Sequence, residues 1–249
     1  MLDVRDKVVL VTGGGTGIGY QVSARFAELG ANLAITYSRS RTEAEEAANR
    51  LRAPGVRVLV DQMNLADVTA IEDTVDAVLT EFGRVDVVVN SAGTTEFIAF
   101  DDLEAVTESI WDDIVDVNLK GAFFLARAAS RWMRGQGDGG SIVNVASTAG
   151  IRPGGSSLPY AVSKAGVLHL TRSLAHALAP SVRVNAVAPG LVLTRWWTSR
   201  NIDTAPIEQG LRFKRGLEPG EVADAVVMLA RNEGISGQTL TVDLANVFS

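Results

Sequence analysis

The stretch TGGGTGIG, residues 12–19, decides the fold of this chain. An apolar run, residues 7–12 (KVVLVT), comes before it, and apolar residues at helical spacing follow it at Ile18, Val22 and Phe26. Glycine allows a turn with positive φ and a close approach of phosphate oxygens. The free N–H groups that begin a helix favour a pyrophosphate. The stretch therefore predicts a phosphate-binding strand–turn–helix unit, and it is not a P-loop because no Lys-Ser/Thr pair follows.

The rest of the chain alternates short apolar runs with longer helical patterns. Runs such as VVLV and VDVVV are apolar throughout, which is typical of strands buried on both faces of a parallel sheet. This alternation predicts an α/β fold, a Rossmann-like doubly wound parallel sheet with helices on both faces. Ligands of such sheets bind beyond the carboxyl ends of the strands. The predicted strands are residues 7–12, 32–37, 56–60, 85–90, 141–146, 182–188 and 238–242, and the principal predicted helices are residues 108–134, 159–179 and 221–231.

Composition excludes several kinds of partner. A length of 249 residues suits one dinucleotide-binding domain over residues 1–249. The net charge of −6 and the lack of a basic run argue against binding to nucleic acid or to a membrane surface. Cysteine is absent, and no His/Asp/Glu cluster in the sequence suggests a metal site. No apolar stretch reaches the roughly 18 residues of a membrane span, and the N-terminus is unlike a signal peptide, so a cytoplasmic protein is expected.

Tyr160 and Lys164 lie four residues apart in a predicted helix, so their side chains share one face. Reduction of a carbonyl by hydride needs a proton donor for the developing alkoxide, and the reverse reaction needs a base. A free tyrosine has a pKa of about 10, and a neighbouring ammonium favours the ionised phenol. We therefore expect Lys164 to lower the pKa of Tyr160. A tyrosine and a lysine at this spacing are also typical of residues that only lie on the surface or pack within the protein.

Ser147 follows the fifth predicted strand and offers a hydroxyl that can hydrogen-bond the reacting oxygen. Ser156 and Ser157 are alternatives for this hydroxyl, although they lie in a glycine-rich loop. By itself Ser147 also fits a turn residue at a strand end. Asn118, in the sequence VDVNLKG, also fits a solvated or kinked position in a helix.

Five ordered motifs give the chain a resemblance to the short-chain dehydrogenase/reductase family, and together they cover almost its whole length. The motifs are TGGGTGIG, Asn90-Ser91-Ala92-Gly93, Asn118, Ser147 with Tyr160-x-x-x-Lys164, and Pro189-Gly190. The resemblance implies a sheet of about seven strands in the order 3-2-1-4-5-6-7, and a homotetramer. It also implies that Asn118, Ser147, Tyr160 and Lys164 are the catalytic residues, with Asn118 holding a water that relays protons to Lys164.

Position and resemblance together predict the residues that bind the dinucleotide. They are Gly13, Gly15, Thr16, Gly17, Ile18, Gly19, Ser38, Arg39, Asn64, Leu65, Asn90, Ala92, Gly93, Tyr160, Lys164, Pro189, Gly190, Val192 and Thr194. Asn64 stands where the family usually has an adenine-contacting aspartate, and its amide can still donate and accept hydrogen bonds.

The residues after the second strand indicate which dinucleotide binds. An acidic residue about 20 positions after the glycine turn usually binds the adenosine ribose of NAD, but Tyr37 stands near that position. Ser38 and Arg39 can instead bind a 2′-phosphate. NADP(H) is therefore favoured, with NAD(H) as the alternative. One departure weakens this preference, because NADP(H)-preferring relatives often carry a basic residue in the glycine turn, where this chain has Thr16.

The long connection over about residues 191–217 is expected to be a substrate lid. Its aromatic residues suit an apolar wall or packing within the protein, and its basic residues suit an anionic substrate or simple solvation. The expected substrate contacts are Ser147, Thr148 and Trp196. The chain looks most like 3-oxoacyl-carrier-protein reductases, but residues 135–140 and 179–181, where relatives use basic residues to dock the carrier, contain none here.

The leading hypothesis is an NADP(H)-dependent oxidoreductase that reduces a small-molecule carbonyl to a secondary alcohol, or the reverse. Its first rival is an NAD-dependent alcohol, sugar or steroid dehydrogenase. A rival of another class is a non-catalytic scaffold that binds the dinucleotide.

Overall fold

The computed structural model describes residues 1–52 and 55–247, and in this part of the chain seven parallel strands form one sheet in the order β3-β2-β1-β4-β5-β6-β7. This confirms the predicted fold class and strand order. Most predicted strand ends differ by one or two residues from the observed ends. The strands are β1 (Val8–Thr12), β2 (Asn32–Tyr37), β3 (Val58–Gln62), β4 (Val87–Asn90), β5 (Gly140–Val145), β6 (Val182–Pro189) and β7 (Thr239–Val242).

Helices cover both faces of the sheet, and several have clear end signals. Asp67 precedes α3 and accepts hydrogen bonds from the backbone N–H groups of Thr69 and Ala70, and Gly83 ends that helix at φ +76°. The helices are α1 (Gly17–Glu28), α2 (Arg41–Leu51), α3 (Val68–Phe82), α4 (Glu108–Val115), α5 (Gly121–Met133), α6 (Leu158–Leu178), α7 (Arg195–Thr198), α8 (Ala205–Gly210) and α9 (Pro219–Arg231).

The strand β1 shows how the two apolar layers form. Side chains alternate across a strand, so Val9 and Val11 pack in the layer that contains residues of α1, α2 and α9. Val8 and Leu10 pack in the opposite layer, with residues of α3, α5 and α6. All four side chains are essentially inaccessible to solvent. A strand buried on both faces explains why this part of the sequence is apolar without interruption.

The long helix predicted over residues 108–134 is confirmed as continuous helical backbone over residues 108–133, but a π-helical turn, Asp116–Lys120, lies within it between α4 and α5. The side chain of Asn118, in this turn, is buried and bonds the backbone of Thr94, which follows β4. Such turns are frequent at functional sites, where the extra residue redirects a side chain. Helical periodicity in the sequence does not reveal this long-range bond, so the interruption could not be predicted.

The carboxyl ends of the central strands lie level with one another. Thr12 at the end of β1 is in register with Thr36 of β2 and Asn90 of β4, and Asn90 is in register with Asn144 of β5. The segments that follow these strands therefore meet at one edge of the sheet. Within the described ranges, no helix has both the length and the apolar character that a membrane span requires.

The connection after β6, residues 191–217, is more ordered than a plain loop. It contains α7 and α8, and a parallel bridge between Val192 and Leu217 joins its two ends. The backbone N–H of Leu193 donates to the carbonyl of Leu217 at 2.8 Å, and the N–H of Leu217 donates to the carbonyl of Leu191 at 2.8 Å. The segment thus leaves the sheet and returns to it at the carboxyl edge.

Candidate active site

A cleft of about 1020 Å³ runs along the carboxyl edge of the sheet. Its wall includes residues that follow β1, β2, β3, β4, β5 and β6, as expected for this class of sheet. The predicted site residues on this wall are Gly13, Gly15, Thr16, Gly17, Ile18, Gly19, Ser38, Arg39, Asn64, Leu65, Ala92, Gly93, Ser147, Thr148, Tyr160, Lys164, Pro189, Gly190, Val192, Thr194 and Trp196.

The turn between β1 and α1 needs glycine for conformation and for space. Gly13 and Gly17 have φ values of +65° and +53°, which other residues rarely adopt. A Cβ atom on Gly19 would lie 2.3 Å from the carbonyl oxygen of Gly13, so any side chain there would force the turn apart. The first N–H groups of α1 have no acceptor within the helix and border the cleft. These features fit the pyrophosphate of a dinucleotide.

Two predicted residues, Asn90 and Asn118, lie behind the cleft wall. The carboxamide oxygen of Asn90 accepts a hydrogen bond from Thr12 Oγ1, which itself accepts from the backbone N–H groups of Ser91 and Ala92. The structure thus gives Thr12, which sequence reasoning did not single out, a part in holding the loop after β4. The sequence could have indicated this residue through its position at the end of a predicted strand, where the ligand sites of such sheets lie.

Asn118 connects three parts of the site. Its Oδ1 accepts from the N–H of Thr94 at 2.8 Å, and its Nδ2 donates to the carbonyl of Thr94 and to Ser163 Oγ, both at 3.0 Å. Ser163 is the neighbour of Lys164 in α6. The asparagine therefore fixes the π-helical turn and the loop after β4 beside the helix that carries Tyr160.

Ser147, Tyr160 and Lys164 come together from β5 and α6. The side chains of Ser147 and Tyr160 both line the cleft, and the Ser147 hydroxyl lies close enough to influence the pKa of the phenol. Lys164 is 5% exposed, and its Nζ donates to the carbonyl oxygen of Val145, the last residue of β5, at 2.9 Å. The same Nζ lies 5.6 Å from the centre of the Tyr160 ring. Strand end and helix thus hold a hydroxyl, a phenol and an amine at one place on the cleft wall.

Burial dominates the protonation of these groups. It raises the pKa of Tyr160 above its ordinary value, while the neighbouring hydroxyl of Ser147 opposes that rise. Burial also lowers the pKa of Lys164 to about 8. The expectation that Lys164 brings the tyrosine pKa below its usual value is therefore wrong for the protein chain by itself. The physical reason is that burial of the phenol disfavours its ionised form, while the amine of Lys164 bonds the Val145 carbonyl.

The far end of the cleft carries the residues that follow β2. Ser38 and Arg39 are exposed on the wall, and Gln62 Nε2 donates to the carbonyl oxygen of Ser38 at 3.0 Å, which fixes the loop. No Asp or Glu lines the cleft among residues 1–52 and 55–247, although the chain carries a net charge of −6. The cations on the wall are Arg39, Arg152, Lys164, Arg195 and Arg200. The cleft therefore suits an anionic, phosphate-containing ligand.

The segment 191–217 covers the other side of the cleft with aromatic and basic side chains. The ring centres of Trp196 and Tyr160 are 6.2 Å apart, and Trp197 packs edge-on against Phe97 at 5.5 Å. The guanidinium of Arg200 lies over both Phe97 and Trp196. Phe97 was not among the predicted site residues, because nothing local in the loop after β4 relates it to the tryptophans.

Comparison with known proteins places these features in one family. A family model described as short chain dehydrogenase matches residues 7–205. A protein of Streptomyces violaceoruber named as ketoacyl reductase 2 of the granaticin polyketide synthase is 41% identical over 240 residues, covering 95% of this chain and 94% of the relative. A 3-oxoacyl-acyl-carrier-protein reductase of Staphylococcus epidermidis is 35% identical over 243 residues, covering 96% and 98%.

A solved structure shares the whole architecture. The crystal structure of a short chain dehydrogenase from Burkholderia cenocepacia in complex with NADP superimposes with a TM-score of 0.88 at 31% identity, and each chain is fully covered by the other. The family match, the glycine turn and the strand order agree with the resemblance stated from the sequence. The chain therefore belongs to the short chain dehydrogenase family, whose oxidoreductases interconvert a carbonyl and an alcohol with NAD(P).

Proposed function

We propose that this chain is an NADP(H)-dependent reductase that converts a carbonyl to a secondary alcohol, or catalyses the reverse, with Tyr160 as the proton-transferring group. One observation carries the proposal. The phenol of Tyr160 lies beside the Ser147 hydroxyl and near the buried amine of Lys164, on the wall of a cleft that fits a dinucleotide.

The cofactor would lie along the cleft from the residues after β2 to Tyr160. The glycine turn and the start of α1 would hold its pyrophosphate, Ser38 and Arg39 the adenosine ribose with its 2′-phosphate, and Lys164 the nicotinamide ribose. The bound nicotinamide supplies or accepts the hydride. The lack of acidic residues on the described part of the wall supports NADP(H) over NAD(H), as does the complex of the Burkholderia relative with NADP.

Proton transfer would use groups that the chain itself positions. Because burial raises the pKa of Tyr160, the phenol stays protonated at neutral pH and is ready to donate. Ser147 would donate a hydrogen bond to the same substrate oxygen and stabilise the charge that develops there. Lys164, with its pKa of about 8, is mostly cationic at pH 7 and would stabilise the tyrosinate left after proton transfer.

The substrate we propose is a small free ketone with an apolar part that fits the aromatic wall. Trp196 lies close enough to Tyr160 to contact a substrate there, and Thr148 follows Ser147 on the wall. The relatives named as ketoacyl and 3-oxoacyl-carrier-protein reductases support a carbonyl beside an acyl chain. The missing basic residues in 135–140 and 179–181 disfavour docking of a carrier protein. The lid role of residues 191–217 and a homotetramer are part of the same proposal.

Replacing Tyr160 by Phe tests the mechanism. We expect kcat for ketone reduction, followed by loss of NADPH absorbance, to fall by about 10²–10⁴-fold, the usual contribution of a general acid. NADPH binding should change by less than about threefold. Tyr20→Phe is the matched control, because Tyr20 lies in α1 outside the cleft wall. Full activity of Tyr160→Phe contradicts the mechanism. No turnover by the wild-type protein across a broad ketone panel, with tight NADPH binding, supports the scaffold alternative.

A further inference from the structure

Arg195, the first residue of α7, reaches from the segment 191–217 to the opposite side of the cleft. Its Nη2 donates to Ser40 Oγ at 2.6 Å, and its Nη1 donates to Glu43 Oε1 at 2.9 Å. Ser40 and Glu43 lie at the start of α2, directly after the loop that carries Arg39. The guanidinium therefore lies at the end of the cleft where the adenosine ribose would bind.

The contacts leave part of this guanidinium available to a ligand. Arginine has five N–H donors in a planar fork, and the two side-chain bonds use one donor on each terminal nitrogen. Arg195 and Ser40 both line the cleft, whereas Glu43 does not. Glu43 thus orients the guanidinium from behind. The turn between β1 and α1 offers only the neutral Thr16 on its side of the cleft.

We propose that Arg195 selects the cofactor by binding the 2′-phosphate of NADP(H) together with Ser40 and Arg39, and so fastens the segment 191–217 across the bound cofactor. The proposal rests on the proposed use of NADP(H). A phosphate monoester carries close to two negative charges at neutral pH, which two arginines would balance. Because Arg195 belongs to the segment and Arg39 to the loop that follows β2, the phosphate would join the segment to that loop.

The position of Arg195 separates this role from binding of the pyrophosphate. The neighbouring Thr194 lies over the glycine turn, with its Cγ2 3.5 Å from where a Cβ on Gly17 would be. Arg195 itself extends away from the turn to Ser40 and Glu43. It should therefore distinguish NADPH from NADH, which share the pyrophosphate and differ in the 2′-phosphate.

Calorimetric titration of Arg195→Gln tests the selection directly. The probes are NADPH and NADH, and adenosine 2′,5′-bisphosphate with AMP as the fragment pair. We expect affinity for the two 2′-phosphate ligands to fall by about 10- to 100-fold, and for the other two by less than about threefold. Arg195→Lys should retain part of the preference, because lysine keeps the charge and loses the fork. Arg212→Gln, an exposed arginine of the same segment that is absent from the cleft wall, should leave all four affinities unchanged.

Limited trypsin digestion tests the fastening. NADPH should slow cleavage at Arg200, Arg212, Lys214 and Arg215 more than saturating NADH does, and Arg195→Gln should abolish that difference. Equal loss of NADPH and NADH affinity, or unchanged NADPH affinity, overturns the role of Arg195. Calorimetry and trypsin digestion both work without turnover. Their results can therefore be interpreted even if the protein does not reduce a ketone. Equal affinity of the wild-type protein for NADPH and NADH contradicts the proposed cofactor itself.

Discussion

Replacing Lys164 by Met should make the protein more stable at pH 7 while removing its activity. Burial lowers the pKa of Lys164 from 10.5 to about 8, so at pH 7 the folded protein holds a cation that its environment disfavours. A shift of this size corresponds to on the order of 3 kcal/mol of unfavourable free energy. Loss of the hydrogen bond to the Val145 carbonyl costs about 1 kcal/mol. The net gain in the free energy of unfolding is therefore about 2 kcal/mol.

The gain has a definite pH dependence. Between about pH 8 and pH 10.5 the unfolded chain binds the lysine proton and the folded chain releases it, so the wild-type protein becomes more stable as the pH rises. The advantage of Lys164→Met is fully present below pH 8, shrinks through this window, and reverses by about 1 kcal/mol above it, where only the lost hydrogen bond remains. Removal of the charge also removes the stabilisation of tyrosinate, so turnover should fall most below about pH 8, where the wild-type lysine is charged.

Urea unfolding at a fixed protein concentration measures this prediction at pH 7, 8.5 and 9.5. Lys214→Met is the control, because it removes an equal charge from an exposed side chain. A variant that is less stable than the wild-type protein at pH 7 would refute the reasoning, because burial would then not be the main influence on Lys164. A pH-independent gain would refute it equally, since the gain would not arise from a proton.

Two further predictions concern the same cleft. In the reducing direction, kcat/KM should be constant below pH 8 and fall above it, because Lys164 loses its charge there while the raised pKa of Tyr160 keeps the phenol protonated; a pH profile with a constant rate to pH 9.5 would contradict this. Gly19→Ala should weaken cofactor binding by at least about tenfold in calorimetry, because its Cβ would lie 2.3 Å from the Gly13 carbonyl oxygen. Gly135→Ala, whose Cβ would lie 3.6 Å from the nearest atom, should bind normally.

The fold could be predicted because its evidence is local. Strand β2 was predicted with its observed ends, and the turn before α1 was predicted with a positive φ, which Gly13 has. An apolar run and a glycine pattern each determine the backbone conformation of only a few neighbouring residues, so both are visible in the sequence. The π-helical turn could not be predicted, because it depends on the bonds between Asn118 and Thr94. The predicted direction of the Tyr160 pKa shift was wrong for a related reason, since sequence spacing does not show how deeply the phenol is buried.

The position of Arg195 is the feature of the site that the sequence reveals least. The sequence places it in a long connection among other basic residues, where a solvated charge is an equally good interpretation. Its bonds reach Glu43 and Ser40, which lie 152 and 155 residues away along the chain. Only the path of the segment 191–217 back across the sheet edge brings them together.

The sheet and this segment therefore divide the work of the site. The register of β1, β4 and β5 fixes the glycine turn and Ser147 relative to one another, and α6 adds Tyr160 and Lys164, so the proposed chemistry rests on buried, rigid elements. The segment 191–217 contributes Trp196 and Arg195 from an exposed connection. Because few buried contacts constrain the segment, substitutions there can change the substrate or cofactor preference while the proton-transferring groups stay in place. On the proposed function, substrate identity would depend on the segment, and reaction type on the sheet edge.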